Sequence, residues 1–172
     1  MQVVEYITTI IMKKNWMFLL LFGGLSLSGF SQETAPKEAV TDEELKKFAT
    51  VEVMTSEYVD KKTLELREMI LNNEVIEGGA RYNEIKAAWG DAAKEAEIKL
   101  TAEEKIAYQA IKDFQDSLQQ SVIDFKTDLI KDDAVLGVST YNKVNGAIKE
   151  DPALKEKLDQ LVAEMKVKKD GV

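Results

Sequence analysis

The sequence contains no histidine and no cysteine among its 172 residues. These absences exclude disulfide bonds, thiol nucleophiles, zinc sites built from Cys and His, Ser-His triads and imidazole acid–base catalysis. A lipid-modified N-terminal cysteine is excluded for the same reason. Proline occurs only at Pro36 and Pro152, and glycine is sparse, with nine residues. A chain poor in both and rich in Ala, Leu, Glu and Lys favours helix, so the composition predicts an all-α fold.

Basic residues are outnumbered by acidic ones. The chain has 23 Lys and Arg against 31 Asp and Glu, which gives a formal net charge of −8. An acidic surface repels phosphate backbones and anionic lipids, so nucleic acid is disfavoured as a partner. The hydrophobic fraction of 45% and the charged fraction of 31% are typical of a globular protein, and the length fits one domain.

Residues 1–31 have the pattern of a secretory signal peptide. Two lysines follow Met12 directly, an apolar run occupies 16–27, and small residues precede Gln32. This order of a basic start, a short apolar core and a small-residue cleavage site is typical of export signals. The apolar run is shorter than the roughly 20 residues that span a bilayer, although an uncleaved membrane anchor is the alternative. Residues 1–11 precede the pattern, which indicates Met12 as the true start.

The cleavage region ends in Gly-Phe-Ser-Gln. It is similar to the signal peptides of Bacteroidetes-type Gram-negative bacteria, and this resemblance implies a periplasmic or extracellular protein. Residues 32–40 form a short polar leader that we expect to be disordered. A single helical domain is expected over 41–168, with no stable membrane span after the signal is cleaved.

Two capping boxes lie 60 residues apart. Thr41 is followed three residues later by Glu44, and Thr101 by Glu104 in the same way. In a capping box each of the two side chains accepts a hydrogen bond from the free backbone N–H of the other residue. Each box therefore predicts the start of a helix.

A long segment without Gly or Pro follows each capping box, to about Glu77 in the first case and about Val135 in the second. We expect helices of about 30 residues that end at Gly78-Gly79 and Gly137, since glycine accepts the left-handed conformation of a helix C-cap. Apolar residues in both segments recur three or four positions apart, as on one buried helix face. In the second segment they are Ile111, Phe114, Leu118, Val122, Phe125 and Leu129.

Shorter helices are expected after the two long ones. A Tyr-Asn pair opens each of them, at 82–83 and 141–142, and Asp151-Pro152 supplies an N-cap and a first helical residue for a last helix. The matching features predict an internal duplication with halves at about 41–100 and 101–165. The fold expected is an antiparallel bundle of two long helices plus short helices, in which the two apolar stripes pack together.

Three segments resemble a family of bacterial exported proteins. They are Thr-Asp-Glu-Glu-Leu-Lys-Lys-Phe-Ala at 41–49, Gly-Val-Ser-Thr-Tyr-Asn-Lys-Val at 137–144 and Asp-Pro-Ala-Leu at 151–154. The family is domain of unknown function 4168, and the resemblance spans about residues 41–165. The chain differs from the family pattern in its long middle, where the first Tyr-Asn pair is an extra copy. The resemblance implies an exported protein and carries over no functional residue, because the family has no assigned reaction.

Six residues are candidates either for ligand binding or for a structural joint. A Tyr-Asn pair could present a phenol and an amide to a ligand, or its ring could pack in the core while Asn helps the helix to start. Trp89 could be a ligand platform or a core residue, and Asp151 a catalytic carboxylate or an N-cap. A groove lined by Tyr82, Trp89 and Tyr141 would indicate ligand binding, whereas a solid core would indicate an interaction module. The candidates are Tyr82, Asn83, Trp89, Tyr141, Asn142 and Asp151.

The sequence predicts no catalytic residue, no cofactor and no metal site. Acidic clusters occur at 42–44, 103–104 and 132–133. None of them has the alternating oxygen ligands and central glycine of a calcium loop, and the first two suit the positive end of a helix dipole.

We therefore expect a non-catalytic exported helical protein that acts as a binding or interaction module in the cell envelope, on a protein or another envelope component. Two alternatives stay open. One is a periplasmic holdase-like chaperone or stress protein, with which long amphipathic helices are compatible. The other is a hydrolase that relies on carboxylates.

Overall fold

The structure, a computed structural model, describes residues 38–170. These residues form six helices and no strand, which confirms the all-α prediction. The signal peptide and the leader up to residue 37 lie outside the described residues. Val40, at the end of the predicted leader, packs against the helical core. The helices are α1 (Asp42–Leu71), α2 (Gly79–Ala88), α3 (Ala92–Glu97), α4 (Ala102–Lys131), α5 (Val138–Glu150) and α6 (Pro152–Asp170).

Both predicted capping boxes are present, and both long helices have 30 residues. The Thr41 hydroxyl accepts a hydrogen bond from the N–H of Glu44 at 3.2 Å, and the Glu44 carboxylate accepts one from the N–H of Thr41 at 2.8 Å. At Thr101 and Glu104 the same two bonds measure 3.1 and 2.9 Å. These reciprocal bonds satisfy N–H groups that a helix start leaves free, so α1 and α4 begin where the sequence predicts.

The predicted ends of the long helices are wrong by several residues. α1 ends at Leu71 and α4 at Lys131, and a polar side chain organises the turn after each. Asn73 Oδ1 accepts hydrogen bonds from two backbone N–H groups, both at 3.0 Å. Asp132 Oδ1 accepts one from Ala134 at 2.8 Å. Short polar side chains of this kind offer the backbone an alternative to the next helical turn.

The glycines predicted to end the long helices begin the short ones instead. Gly78 and Gly137 have φ angles of 91° and 83°, in the left-handed region that was expected. They are the N-cap residues of α2 and α5, respectively, and Gly79 is the first residue of α2. The prediction of a positive φ was correct, but the ψ angles of −170° and 141° are extended rather than those of a helix C-cap. The predicted role was wrong, because a turn already separates each glycine from the long helix before it.

α1 and α4 lie side by side and antiparallel. The Lys126 amine of α4 is 2.6 Å from the Glu52 carboxylate of α1. Further along α1, Lys62 lies 5.5 Å from the ring centroid of Phe114. Residue numbers therefore rise along one helix as they fall along the other, as the bundle prediction requires.

Two separate cores lie at opposite ends of the α1–α4 pair. The first core joins the start of α1 and the end of α4 to α5 and α6. The second joins the end of α1 and the start of α4 to α2. The buried residues of the first core are Leu45, Phe48, Ala49, Val51, Ile130, Leu136, Val144 and Leu158. Those of the second core are Leu66, Ile70, Ile76, Tyr82, Ile85, Tyr108 and Ile111.

The two ends are covered to different extents. α6 runs parallel to the first half of α1, where Lys157 pairs with Asp42 at 2.6 Å and Lys166 donates to the Ser56 hydroxyl at 2.7 Å. At the other end, α3 has only six residues.

Within residues 38–170, no helix is both long and apolar enough to cross a membrane.

Side chains at equivalent positions of α1 and α4 differ in the same way as the coverage of the two ends. Ala49 and Val53, at positions 8 and 12 of α1, are buried on the face that carries Ser56. Positions 8 and 12 of α4 are Gln109 and Asp113, which are exposed and hydrogen-bonded to each other at 2.6 Å. These two positions of α4 are polar, so they are satisfied in water without a covering helix.

Candidate functional site

The candidate residues are divided between the two ends of the bundle. Tyr82 is buried in the second core and Trp89 packs against it, whereas Tyr141 packs against the first core. No groove combines the three rings, because the antiparallel α1–α4 pair places α2 and α5 at opposite ends. Of the two alternatives, a shared ligand groove or packing in a core, the arrangement of these side chains corresponds to packing in cores.

Tyr82 belongs to a cluster of three aromatic rings. It is 3% exposed, and its hydroxyl is 3.4 Å from the side-chain oxygen of Gln115. The Tyr108 ring lies 5.4 Å from Tyr82 and 4.5 Å from half-buried Trp89, between centroids. Tilted rings at these distances are a stabilising packing arrangement.

Tyr141 is half-buried and stacks on Phe48. Burial raises the pKa of the Tyr141 hydroxyl above its usual value, and the nearby charge of Glu52 raises it further. The phenol is therefore harder to ionise than in water, which makes it a weaker candidate for a nucleophile or a base.

The polar candidates have separate positions. Asn83 and Asn142 are exposed at the fifth position of α2 and α5, so the prediction that they help a helix to start is wrong. Asp151 is an N-cap, which is one of the two roles considered for it, the other being a catalytic carboxylate. Its Oδ1 accepts hydrogen bonds from the N–H groups of Ala153 at 2.9 Å and Leu154 at 3.2 Å.

A partly buried ion pair that the sequence did not reveal joins α2 to α4. The Arg81 guanidinium donates to both oxygens of the Glu104 carboxylate, at 2.6 and 2.9 Å. Its remaining donors reach Glu84 at 2.9 Å and the carbonyl of Ile98 at 3.1 Å. Glu104 also closes its capping box, so one carboxylate fixes both the start of α4 and the position of α2.

The electrostatics of this pair follow from its geometry. The hydrogen bonds from Arg81 hold the pKa of Glu104 below its usual value, against the opposing effect of burial. The same bonds, with a smaller effect of Glu84, raise the pKa of Arg81. Both groups stay charged at neutral pH, and their hydrogen bonds go to each other and to neighbouring protein groups, which is the behaviour of a structural pair.

Glu44 occupies the equivalent position at the other end. Its carboxylate pairs with Lys143 of α5 at 2.8 Å, and this bond is the main reason that the pKa of Glu44 is lowered. Both capping-box glutamates thus bind a cation from the short helix that packs beside them. The repeated Thr-x-x-Glu pattern was visible in the sequence. The cations could not be found by the same repeat, because Arg81 is the third residue of α2 and Lys143 is the sixth residue of α5.

A shallow groove of about 500 Å³ lies on the outer side of α4. Ile106 is 73% exposed there, beside the half-buried Trp89. The polar atoms of Lys105, Gln109 and Asp113 surround this apolar centre. Sequence reasoning missed Ile106, because helical spacing alone does not show which face of α4 a neighbouring helix leaves exposed.

A second depression, of about 470 Å³, lies over the Arg81–Glu104 pair and is lined by Val75, Glu77 and Glu84 among others. Across residues 38–170, no three acidic side chains converge as a metal site would require.

Comparisons with known proteins return no match: no family model, no curated protein and no solved structure is similar to this chain. The resemblance to domain of unknown function 4168 stays a prediction.

Proposed function

We propose that the chain is a non-catalytic exported helical protein that acts as an interaction module in the cell envelope. The observation that supports this proposal is the groove centred on Trp89 and Ile106. A large aliphatic side chain left mostly exposed beside a tryptophan, with polar groups around both, has the arrangement of apolar centre and polar rim that protein–protein contacts use.

The partner that fits this groove is another protein. The net charge of −8 opposes docking on nucleic acid or on an anionic membrane. Protein partners supply apolar side chains for the centre of the groove together with hydrogen-bonding groups for its rim at Gln109 and Asp113. Such contacts cover the exposed area of Ile106, and removing this apolar area from water lowers the free energy.

Site-specific photo-cross-linking in intact cells tests this proposal. A photoreactive residue at position 106 should give a discrete cross-linked partner. The matched control is position 167 on α6, where Val167 is 71% exposed but lies outside the groove. Equal cross-linking from positions 106 and 167, or none from 106, would contradict a specific site.

Export is a separate part of the proposal. It rests on the pattern in residues 1–31, and N-terminal sequencing of the protein from the organism's envelope fraction tests it. A first residue of Gln32 or Glu33 is the expected result. A protein that retains residues 12–31 would favour the membrane-anchor alternative.

A holdase-like chaperone is a second candidate, supported by the other exposed apolar side chains. Leu64 and Leu71 are seven residues apart on α1 and therefore lie on one face, with exposed Val75 following. An aggregation assay with an unfolded client at equimolar ratio should show protection that Leu64→Ser with Leu71→Ser reduces. Absence of protection by the unmodified protein would exclude this candidate.

The internal duplication and membership of domain of unknown function 4168 are proposals too. The duplication is supported by equal helix lengths, by two capping boxes and by the cations that both capping glutamates bind. Sequences of relatives with a single half would test both proposals, because a true half should align with 41–100 and with 101–165 equally well.

A further inference from the structure

The segment from Gly78 to Lys99 is bounded by two strained backbone positions. Glu77 and Lys99 have φ angles of 56° and 52°, and they are the non-glycine residues with positive φ in the part of the chain that the structure describes. The left-handed conformation is unfavourable for such residues, and strained positions of this kind cluster at hinges and switches. The segment between them contains α2 and α3.

An ion pair of Arg81 holds this segment against the rest of the bundle. Arg81 ties α2 to the first turn of α4 through Glu104, and ties it to the end of the segment through the Ile98 carbonyl. A second ion pair, Glu95 of α3 with Lys105 of α4 at 2.6 Å, is more exposed. Arg81 therefore ties α2 both to α4 and to the end of the segment from a single side chain.

The opposite end of the bundle is closed more extensively. There, α6 has 19 residues against six in α3. Lys143, Lys157 and Lys166 each connect α5 or α6 to α1. Leu154, Leu161, Val162 and Met165 of α6 add apolar packing on the first core. Buried apolar area and cross-links set local stability. The fewer cross-links and the shorter α3 favour opening at the α2–α3 end, although α2 itself buries Tyr82, Ile85 and Ala88.

We propose that residues 78–99 form a flap that opens as a unit on hinges at Glu77 and Lys99, and that the Arg81–Glu104 pair is its latch. Opening removes Tyr82 and Ile85 from the second core. It uncovers Tyr108 and Ile111 of α4, which are buried when the flap is closed, while α1, α4, α5 and α6 stay folded. This device does not depend on the binding role proposed for the groove.

Acid releases the latch. The charged groups that face Glu104 are Arg81 and Glu84 from α2, and Glu77 from the connection before it. Lys105, the next residue of α4, pairs with Glu95 of α3. Arg81 holds the carboxylate ionised, so the latch is closed above the usual glutamate pKa and weakens as the pH falls below it. Protonation of Glu104 removes the charge that binds Arg81 and leaves the guanidinium partly desolvated.

Hydrogen exchange measured by mass spectrometry on the full chain tests the flap. Glu104→Gln should increase exchange of amides in 79–98 by about tenfold or more, while amides in 141–162 keep their rates. Glu44→Gln is the matched control, since Glu44 closes the same kind of capping box and ion pair at the other end, and it should leave 79–98 unchanged. As the pH falls below the usual glutamate pKa, the difference in exchange of 79–98 between the unmodified protein and Glu104→Gln should narrow, after correction for intrinsic exchange.

A milder variant keeps the test decisive if Glu104→Gln does not fold. Arg81→Lys retains the charge and loses the two-pronged geometry, so it should raise exchange in 79–98 by a few-fold and leave 141–162 unchanged. Uniform acceleration across all helices, or the same pattern from Glu44→Gln as from Glu104→Gln, would overturn the flap. Unchanged exchange in 79–98 with either latch variant would overturn it equally.

Discussion

The rings of Phe48 and Tyr141 stack with their centroids 5.6 Å apart and their planes 11° from parallel. Phe48 is the seventh residue of α1, and Tyr108 is the seventh residue of α4, where it meets Tyr82 at 5.4 Å. Each short helix thus brings its tyrosine back onto the start of the long helix that lies beside it. The tyrosine of each Tyr-Asn pair therefore packs a short helix against a long one.

The first prediction concerns core packing. Ile111 is 0% exposed in the second core, and Ile111→Ala should lower the free energy of unfolding by about 2–5 kcal/mol through lost burial and a residual cavity. Phe114 is only half-buried beneath Lys62, so Phe114→Ala should cost less than Ile111→Ala. The stripe in the sequence alone would assign Phe114 about 3–5 kcal/mol.

Chemical denaturation of the two variants measures both values. Ile106→Ala serves as the control, because its side chain is mostly exposed and its loss should change stability by less than about 0.5 kcal/mol. An equal cost for Ile111→Ala and Ile106→Ala would contradict the burial of the second core.

The sequence predicts the features of this fold that depend on neighbours in the chain. The starts of α1 and α4 follow from a threonine and a glutamate three residues apart, and the N-cap at Asp151 follows from its place before Pro152. The ends of the long helices were missed because Asn73 and Asp132 bond to the backbone of a turn. That competition between turn and helix is weak and is not visible in apolar periodicity.

Features that depend on distant parts of the chain were not predictable. Arg81 and Glu104 are 23 residues apart, and only the packing of α2 beside the start of α4 brings them together. Trp89 and Ile106 form one groove for the same reason. The separation of Tyr82 from Tyr141, by contrast, follows from the antiparallel packing of α1 and α4 that the sequence predicts, because this packing places matching short helices at opposite ends.

The second prediction concerns acid. The pKa values of Glu44 and Glu104 are lowered mainly by hydrogen bonds from Lys143 and Arg81. A carboxylate whose pKa is lower in the folded state contributes stability above its unfolded value of about 4.3, and this contribution is lost as the pH falls through the folded value. The free energy of unfolding should therefore be level near neutral pH and decline below about pH 4.5.

Urea denaturation at a series of pH values measures this decline. Glu104→Gln should lower stability at pH 7 by about 1–3 kcal/mol, because it leaves Arg81 without its charged partner. The same variant should flatten the dependence on pH below 4.5. A variant whose acid dependence matches that of the unmodified protein would show that Glu104 does not titrate as an ion pair.

The third prediction concerns the capping boxes. Thr101→Ala should lower the free energy of unfolding by about 1 kcal/mol, since it removes the hydroxyl that accepts from the N–H of Glu104. Thr101→Ser keeps the acceptor and should recover most of the loss. Thermal or chemical denaturation distinguishes them, and an equal loss for both variants would point to the methyl group rather than to the cap.

The fourth prediction separates two glycines near the same joint. Gly146 lies inside α5 with no atom within 4 Å of an added Cβ, so Gly146→Ala should stabilise the protein by about 0.5–1 kcal/mol through helix propensity. Gly137 has a φ of 83°, and its added Cβ would lie 2.8 Å from Asp133 Oδ1. Gly137→Ala should therefore destabilise by about 1–2 kcal/mol, through backbone strain together with displacement of that carboxylate.

Denaturation of the two single variants and of the double variant checks both signs at once. Gly90→Ala is a useful third variant, because it has a similar φ of 82° with open space around its Cβ. Its cost isolates the strain of the left-handed backbone from the contact with Asp133. If Gly137→Ala costs no more than Gly90→Ala, the Asp133 side chain moves aside freely, and backbone strain accounts for the whole effect at the start of α5.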